Sequence, residues 1–251
     1  VGLLDHPGGR KTHTKPTPLI GGLGIYLGIL LITYFRPTVF NQSSLMLGIS
    51  AFVLFVGMVD DYKHQEVWIR MGSQAVAVSL MYFAANIQLT SFGDILFIGE
   101  IGLGFLSFPL TVIATVGVIN AVNMSDGIDG LSGGMVSIAL AFLGIIAWQE
   151  GNTTLLSFIA ILLSALLAFL ALNFRLPWKK TAMVYLGDSG STFLGFVLAW
   201  LFIEATQGES AIMPPVLALW FLAVPLMDTI VLLIKRPLEG KSPFHPGRDH
   251  L

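Results

Sequence analysis

Apolar stretches long enough to cross a bilayer follow one another along almost the whole 251-residue chain, and this recurrence constrains the fold more than any other feature. A hydrocarbon layer of roughly 30 Å takes about 20 residues of α-helix. Lipid offers no partner to backbone N–H and C=O groups, so a spanning segment must satisfy them internally. Length and apolar continuity place about eight spanning helices, at about 18–35, 44–60, 70–86, 104–122, 131–149, 154–173, 189–205 and 212–234. The third is the weakest, because Arg70, Ser73, Gln74 and Asn86 dilute it. Composition agrees: 55% of residues are hydrophobic and 11% charged, with a mean hydropathy of +0.80, far from the balance of a soluble domain. The expected fold is an all-α, polytopic transmembrane helical bundle, one integral-membrane domain over residues 1–251 with no room for a separate soluble domain.

The charges test that segmentation independently, since cytoplasmic loops carry an excess of Lys and Arg. With residues 1–17 inside, Arg10, Lys11, Lys15, Lys63, Arg70, Arg175, Lys179, Lys180, Lys235, Arg236, Lys241 and Arg248 all fall on the inner side, and Arg36 alone falls outside. All five histidines share the inner side. The outer connections are short except 87–103, whose ILFIGEIGLG suits a short hairpin. Chemistry is therefore expected on cytoplasmic loops.

The absence of cysteine excludes thiolate metal sites, disulfides and a Cys nucleophile. A formal charge of −2 with dispersed basic residues gives no nucleic-acid footprint. VGLLDHPGGRKTH lacks a signal-peptide pattern and the chain ends directly after a charged loop, so both ends read as cut from something longer.

Four inner segments carry unusual groups. In GMVDDYK, Asp60 and Asp61 close a spanning helix at a depth where an unpaired carboxylate is costly; a solvated helix end competes with a general base or metal partner. NAVNMSDGIDGLSGG (120–134) offers Asn120, Asn123, Asp126 and Asp129 among four glycines, hard oxygens that suit Mg²⁺ or the donors of a nucleotide. In YLGDSGSTFLG (185–195), Asp188 and Ser189 stand at a helix start. They suit capping, and equally a phosphate on the free N–H groups with its magnesium on the acid. KRPLEGKSPFHPGRDHL (235–251) brings His245, Arg248 and His250, whose donors suit a diphosphate. Asp228 lies inside the last helix and suits either helix pairing or the site. Gly24 and Gly28 suit helix packing. No Walker A, nucleophile-elbow or zincin motif is present. What remains is metal and phosphate chemistry at a membrane.

These residues resemble the polyprenyl-phosphate N-acetylhexosamine-1-phosphate transferases. VDD at 59–61, NAVNMSDGIDGL at 120–131, GDSGST at 187–192 and the SPF…Arg-x-His loop at 242–250 match that family's motifs in order and spacing over nearly the whole chain. EATQG at 204–208, PLMD at 225–228 and the Arg-x-His loop resemble its GlcNAc-1-phosphate branch. The muramyl-pentapeptide branch carries a triple histidine where this chain reads PFHPGRDHL, and is the runner-up.

The resemblance implies transfer of GlcNAc-1-phosphate from UDP-GlcNAc to undecaprenyl phosphate with release of UMP, at the inner membrane of a bacterium and on its cytoplasmic face. It implies Mg²⁺, with Mn²⁺ as a substitute, held by Asp188 and Asn123. Asp129 and Asp126 match positions near the uridine. Asp60 matches the acid that deprotonates the lipid phosphate or attacks as nucleophile, with Asp61 supporting it. Arg70 matches a phosphate contact, and Arg248, His250 and His245 a grip on the diphosphate. A homodimer is compatible with the sequence. An ion-coupled transporter is the rival class, disfavoured because nearly all acids sit at one face and not near the midplane.

Overall fold

The computed structural model describes residues 3–5, 16–94, 99–175, 179, 181–238 and 240. Nine helices carry the described chain: α1 (Gly21–Tyr34), α2 (Pro37–Tyr62), α3 (Val67–Ala85), α4 (Ser107–Met124), α5 (Leu131–Gln149), α6 (Thr153–Asn173), α7 (Gly187–Thr206), α8 (Pro215–Phe221) and α9 (Ala223–Leu238). Their limits follow local chemistry. Pro37 supplies the fixed φ of a first helical position to α2. Asn152 caps α6 by accepting from the Leu155 N–H, and Asn86 ends α3 in the left-handed conformation.

The chain is thus a polytopic helical membrane protein. Five helical segments are long and apolar enough to span: Ser43–Tyr62, Gly104–Gly127, Leu131–Gln149, Thr153–Asn173 and Gly187–Thr206. The pair α8 and α9 brings this to six if counted as one bent span. Among the eight expected spans, α1 is shorter than a crossing, at 14 residues, and α3 is not among the segments that qualify. The expected straight helix at 212–234 is instead broken at Leu222, where α8 and α9 meet at 75°. Pro225 has no N–H for a preceding carbonyl and crowds the turn before it, so the helix cannot run through. The hairpin expected of ILFIGEIGLG lies partly outside the described residues; within 87–103 an isolated antiparallel bridge joins Ser91 to Gly102. Residues 4–5 and 17–18 form a two-stranded antiparallel pair, β1 (Leu4–Asp5) with β2 (Thr17–Pro18).

The bundle is organised around α7, which packs against α1, α2, α4 and α5. Of its membrane-length window 94% is buried, against 33–50% for the other four. Small residues let its neighbours in: a Cβ on Gly57 of α2 would overlap the Ser189 backbone of α7. One hydrophobic cluster, with Ile29, Met81, Ile119, Leu140, Leu166 and Phe193 fully buried in it, joins these helices.

The starts of α1, α5 and α7 and the ends of α2, α4 and α6 gather at one end of this bundle. Gly21 N–H donates to Tyr185 O (3.0 Å) and Gly22 N–H to Leu186 O (3.2 Å), while Gly130 N–H donates to Asn173 Oδ1 (2.6 Å). At the other end, Gln207 after α7 holds the 86–103 segment: its Oε1 accepts from Thr90 N–H, Thr90 Oγ1 and Ser91 N–H at 2.9–3.1 Å.

Candidate active site

Three of the singled-out segments converge at the end of the bundle where α7 begins. Asp60 from α2, Asn123 from α4 and Asp188 from α7 line one cleft with Arg70 of α3, enclosing about 400 Å³, part of it open to solvent. Asp60 is 4% exposed. It is held on both oxygens, with Gln65 N–H donating to Oδ1 (2.6 Å) and Arg70 Nη1 to Oδ2 (3.0 Å). An ionised carboxylate at this depth needs such partners.

Asp61, the next residue, points elsewhere. Its Oδ1 accepts from Asp188 N–H (2.8 Å) and its Oδ2 from Ser189 N–H (3.0 Å). A carboxylate borrowed from α2 thus caps the first turn of α7, where the helix's own N-cap residue, Leu186, makes no side-chain bond. Gly187 enters this turn at φ +76°, a backbone conformation that strains any side chain, and a Cβ there would sit 2.7 Å from Asp61 Oδ2.

Asp188 faces the cleft. Asn123 Nδ2 donates to Asp188 Oδ1 (2.8 Å) and to Ser191 Oγ (2.9 Å), which fixes the amide with its NH₂ toward α7. Asn123 Oδ1 makes no hydrogen bond among the described residues. The carboxylates of Asp60 and Asp188 bring oxygens within 4.8 Å of each other. With His64, they can offer three ligand atoms within 4.8 Å of one another. A buried and a half-buried carboxylate this close favour a cation between them. The oxygen-rich set, with the Asn123 carbonyl beside it, fits a hard divalent ion such as Mg²⁺.

Asp126 lies in the 3₁₀ turn after α4, close enough to feel the charges of Asp188, Asp61 and Asp129. Asp129 stands at the edge and accepts from Arg175 Nε at 2.5 Å. The structure therefore brings Asp60, Arg70, Asn123 and Asp188 together, puts Asp61 behind them and Asp126 and Asp129 beside them. His245, Arg248 and His250 lie outside the described residues. Asp228, on α9, is not among the residues lining the cleft. Two contributors escaped the sequence reading. His64 stands four residues after Asp60, with Nδ1 3.7 Å from Asp60 Oδ1, and Gln74 lines the cleft one turn beyond Arg70. The signal for each was its i,i+4 spacing from a residue already singled out.

The chain is similar to proteins of known family. Residues 43–206 match the family described as glycosyl transferase family 4. An undecaprenyl-phosphate alpha-N-acetylglucosaminyl 1-phosphate transferase of Escherichia coli O157:H7 is 38% identical over 255 residues, covering all of this chain and 68% of that protein. The protein of the same name from Haemophilus influenzae is 38% identical over 252 residues, covering all of this chain and 71% of its own. The one from Yersinia pestis is 35% identical over 251 residues, again covering all of this chain and 68% of its own.

Proposed function

The chain belongs to glycosyl transferase family 4, and from that premise we propose that it transfers GlcNAc-1-phosphate from UDP-GlcNAc to undecaprenyl phosphate, releasing UMP. The observation that carries this reading is the convergence of Asp60, Arg70, Asn123 and Asp188 on one cleft at a helix end, beside relatives whose names state that reaction.

Each residue has a task its geometry suits. Asp60, held by Arg70 and the Gln65 N–H, is placed to take the proton of the acceptor phosphate. With Asp60 as base, the acceptor phosphate attacks the β-phosphorus directly and in line, and no covalent enzyme intermediate is needed. The Arg70 guanidinium can share its remaining donors with a phosphate oxygen. Asp188, steered by Asn123 and with the Asn123 carbonyl as partner, would hold Mg²⁺, with His64 close enough to join the donor set. Bound there, Mg²⁺ supplies charge neutralisation for the diphosphate and the departing UMP, and Mn²⁺ would serve in its place. Asp61 keeps the α7 turn that carries Asp188 in position. Asp126 and Asp129 stand where the uridine would lie, with His245, Arg248 and His250 as the further grip on the diphosphate.

The same reading treats residues 1–251 as one membrane domain, supported by the common hydrophobic cluster, in the inner membrane of a bacterium with the cleft toward the cytoplasm. Lys63, Arg70, Arg175 and Lys179 belong to segments at the cleft end and Arg36 to the α1–α2 turn at the opposite end, as the positive-inside rule asks. About eight crossings follow if α1, α3 and the bent α8–α9 pair each count as one. A homodimer is compatible with this arrangement.

The test is UMP release from UDP-GlcNAc and undecaprenyl phosphate by the full-length protein, with and without Mg²⁺, and in Asp188→Ala. Metal-dependent release that disappears in Asp188→Ala supports the reading. No release by the unaltered protein with any divalent metal overturns it.

A further inference from the structure

The cleft has two tiers, and the second is not accounted for by the acids. Arg70 on α3, Asn123 on α4 and Asp188 on α7 form the outer tier. One helical turn further into the bundle, at i+4, i−3 and i+4, stand Gln74, Asn120 and Thr192, with Val53 and Val56 of α2 as the apolar wall. This tier carries no charge.

Its central feature is an oriented amide. Asn120 Nδ2 spends both hydrogens, one on Val116 O (2.8 Å) and one on Gln74 Oε1 (2.7 Å). The carbonyl of Gln74 is thereby fixed toward Asn120. Its NH₂ is left with two donors and no partner among the described residues, on a side chain that is 5% exposed and lines the cleft. The ordinary reading of Gln and Asn facing each other across membrane helices is adhesion. Adhesion uses Gln74 Oε1 alone. It does not explain the two donors left over on a cleft-lining side chain, one turn from a guanidinium on the same helix.

An array of donors, Arg70 above and Gln74 below, flanked by two valines, matches an anion attached to an apolar chain. We propose that Gln74, oriented by Asn120, hydrogen-bonds the phosphate of the acceptor lipid and sets that phosphate against Asp60, with Val53 and Val56 against the first carbons of the chain. This rests on the transferase reading above. Gln74 is in this view a binding residue and Asn120 a positioning residue.

The experiment compares Gln74→Met, close in size but with no donor, with the unaltered full-length protein. Two readouts are used: initial rates with each substrate varied in turn, and direct binding of undecaprenyl phosphate in nanodiscs with no donor present. Loss of a hydrogen bond to an anion predicts a rise of roughly tenfold or more in the acceptor KM. The KM for UDP-GlcNAc and the Mg²⁺ requirement stay unchanged, and binding of undecaprenyl phosphate weakens by a similar factor. Gln74→Asn, which keeps the amide on a shorter arm, recovers part of the loss. Equal losses for both substrates, or acceptor binding at the unaltered level, overturn the proposal and leave the pair as adhesion. If the unaltered protein binds the lipid but releases no UMP, the transferase reading fails, while the binding arm still decides the role of Gln74. Should Gln74→Met not fold, Asn120→Leu frees the Gln74 amide to turn and is expected to give the same acceptor-specific loss.

Discussion

Removing the Asp61 carboxylate should loosen α7 at the turn that carries Asp188. In Asp61→Ala, the Asp188 and Ser189 N–H groups lose acceptors at 2.8 and 3.0 Å. A hydrogen bond to a charged group contributes about 1.5–3 kcal/mol when buried. Asp61 is part-exposed, so solvent screening brings each bond down to about 1 kcal/mol. The charge at a helix start adds roughly 0.3–1 kcal/mol. The sum is about 2–3 kcal/mol, which for a chain of this size corresponds to a fall in melting temperature of roughly 5–10 °C. Asp61→Asn keeps one acceptor and should lose about half as much. Thermal unfolding followed by intrinsic tryptophan fluorescence in detergent measures the shift, and UMP release measures its effect on catalysis. The loss of activity in Asp61→Ala should appear mostly in kcat, since the displaced group is Asp188. An Asp61→Ala protein that melts with the unaltered one, yet is inactive, would refute the cap and return Asp61 to the chemistry itself.

Two further outcomes follow from the packing. Gly57→Ala pushes a methyl into the Ser189 backbone and should abolish activity and lower stability by about 1–3 kcal/mol; Gly48→Ala on the same helix meets nothing within 4 Å and should be silent in both assays. Gln207→Ala removes the acceptor of three hydrogen bonds at the far end; faster proteolysis within 86–103, with UMP release within about twofold of the unaltered rate, is expected because only that segment opens.

The acids at the site were legible because ionisable groups at membrane depth are rare enough to stand out. Asp60, Asn123 and Asp188 lie 63 and 65 residues apart, yet each closes or opens an apolar run, and alternating helices return such ends to the same face. What stayed hidden was pairing. Nothing in the adjacency of Asp60 and Asp61 says that one faces the cleft and the other turns to α7, since successive helix positions are separated by about 100° and only a partner reveals which direction is used. The break at Leu222 was hidden too, because Pro225 sits in an unbroken apolar run whose hydropathy is blind to a missing N–H. Arg70, Ser73 and Gln74 were visible in the wrong guise: they weakened the third span by length and hydropathy, and they are the cleft-lining face of α3.

The enclosure of α7 has a consequence for how the protein meets its bilayer. With a mean hydropathy of 1.3, the lowest of the five spanning segments, and almost no surface left over for lipid, α7 holds its station by the company of α1, α2, α4 and α5 and not by its own affinity for hydrocarbon. Changes in acyl chain length or order act first on α6, whose window is 33% buried, and reach Asp188 only after passing through a rigid sheath. The turn that carries Asp188 is thereby placed by neighbouring helices and not by the bilayer around them.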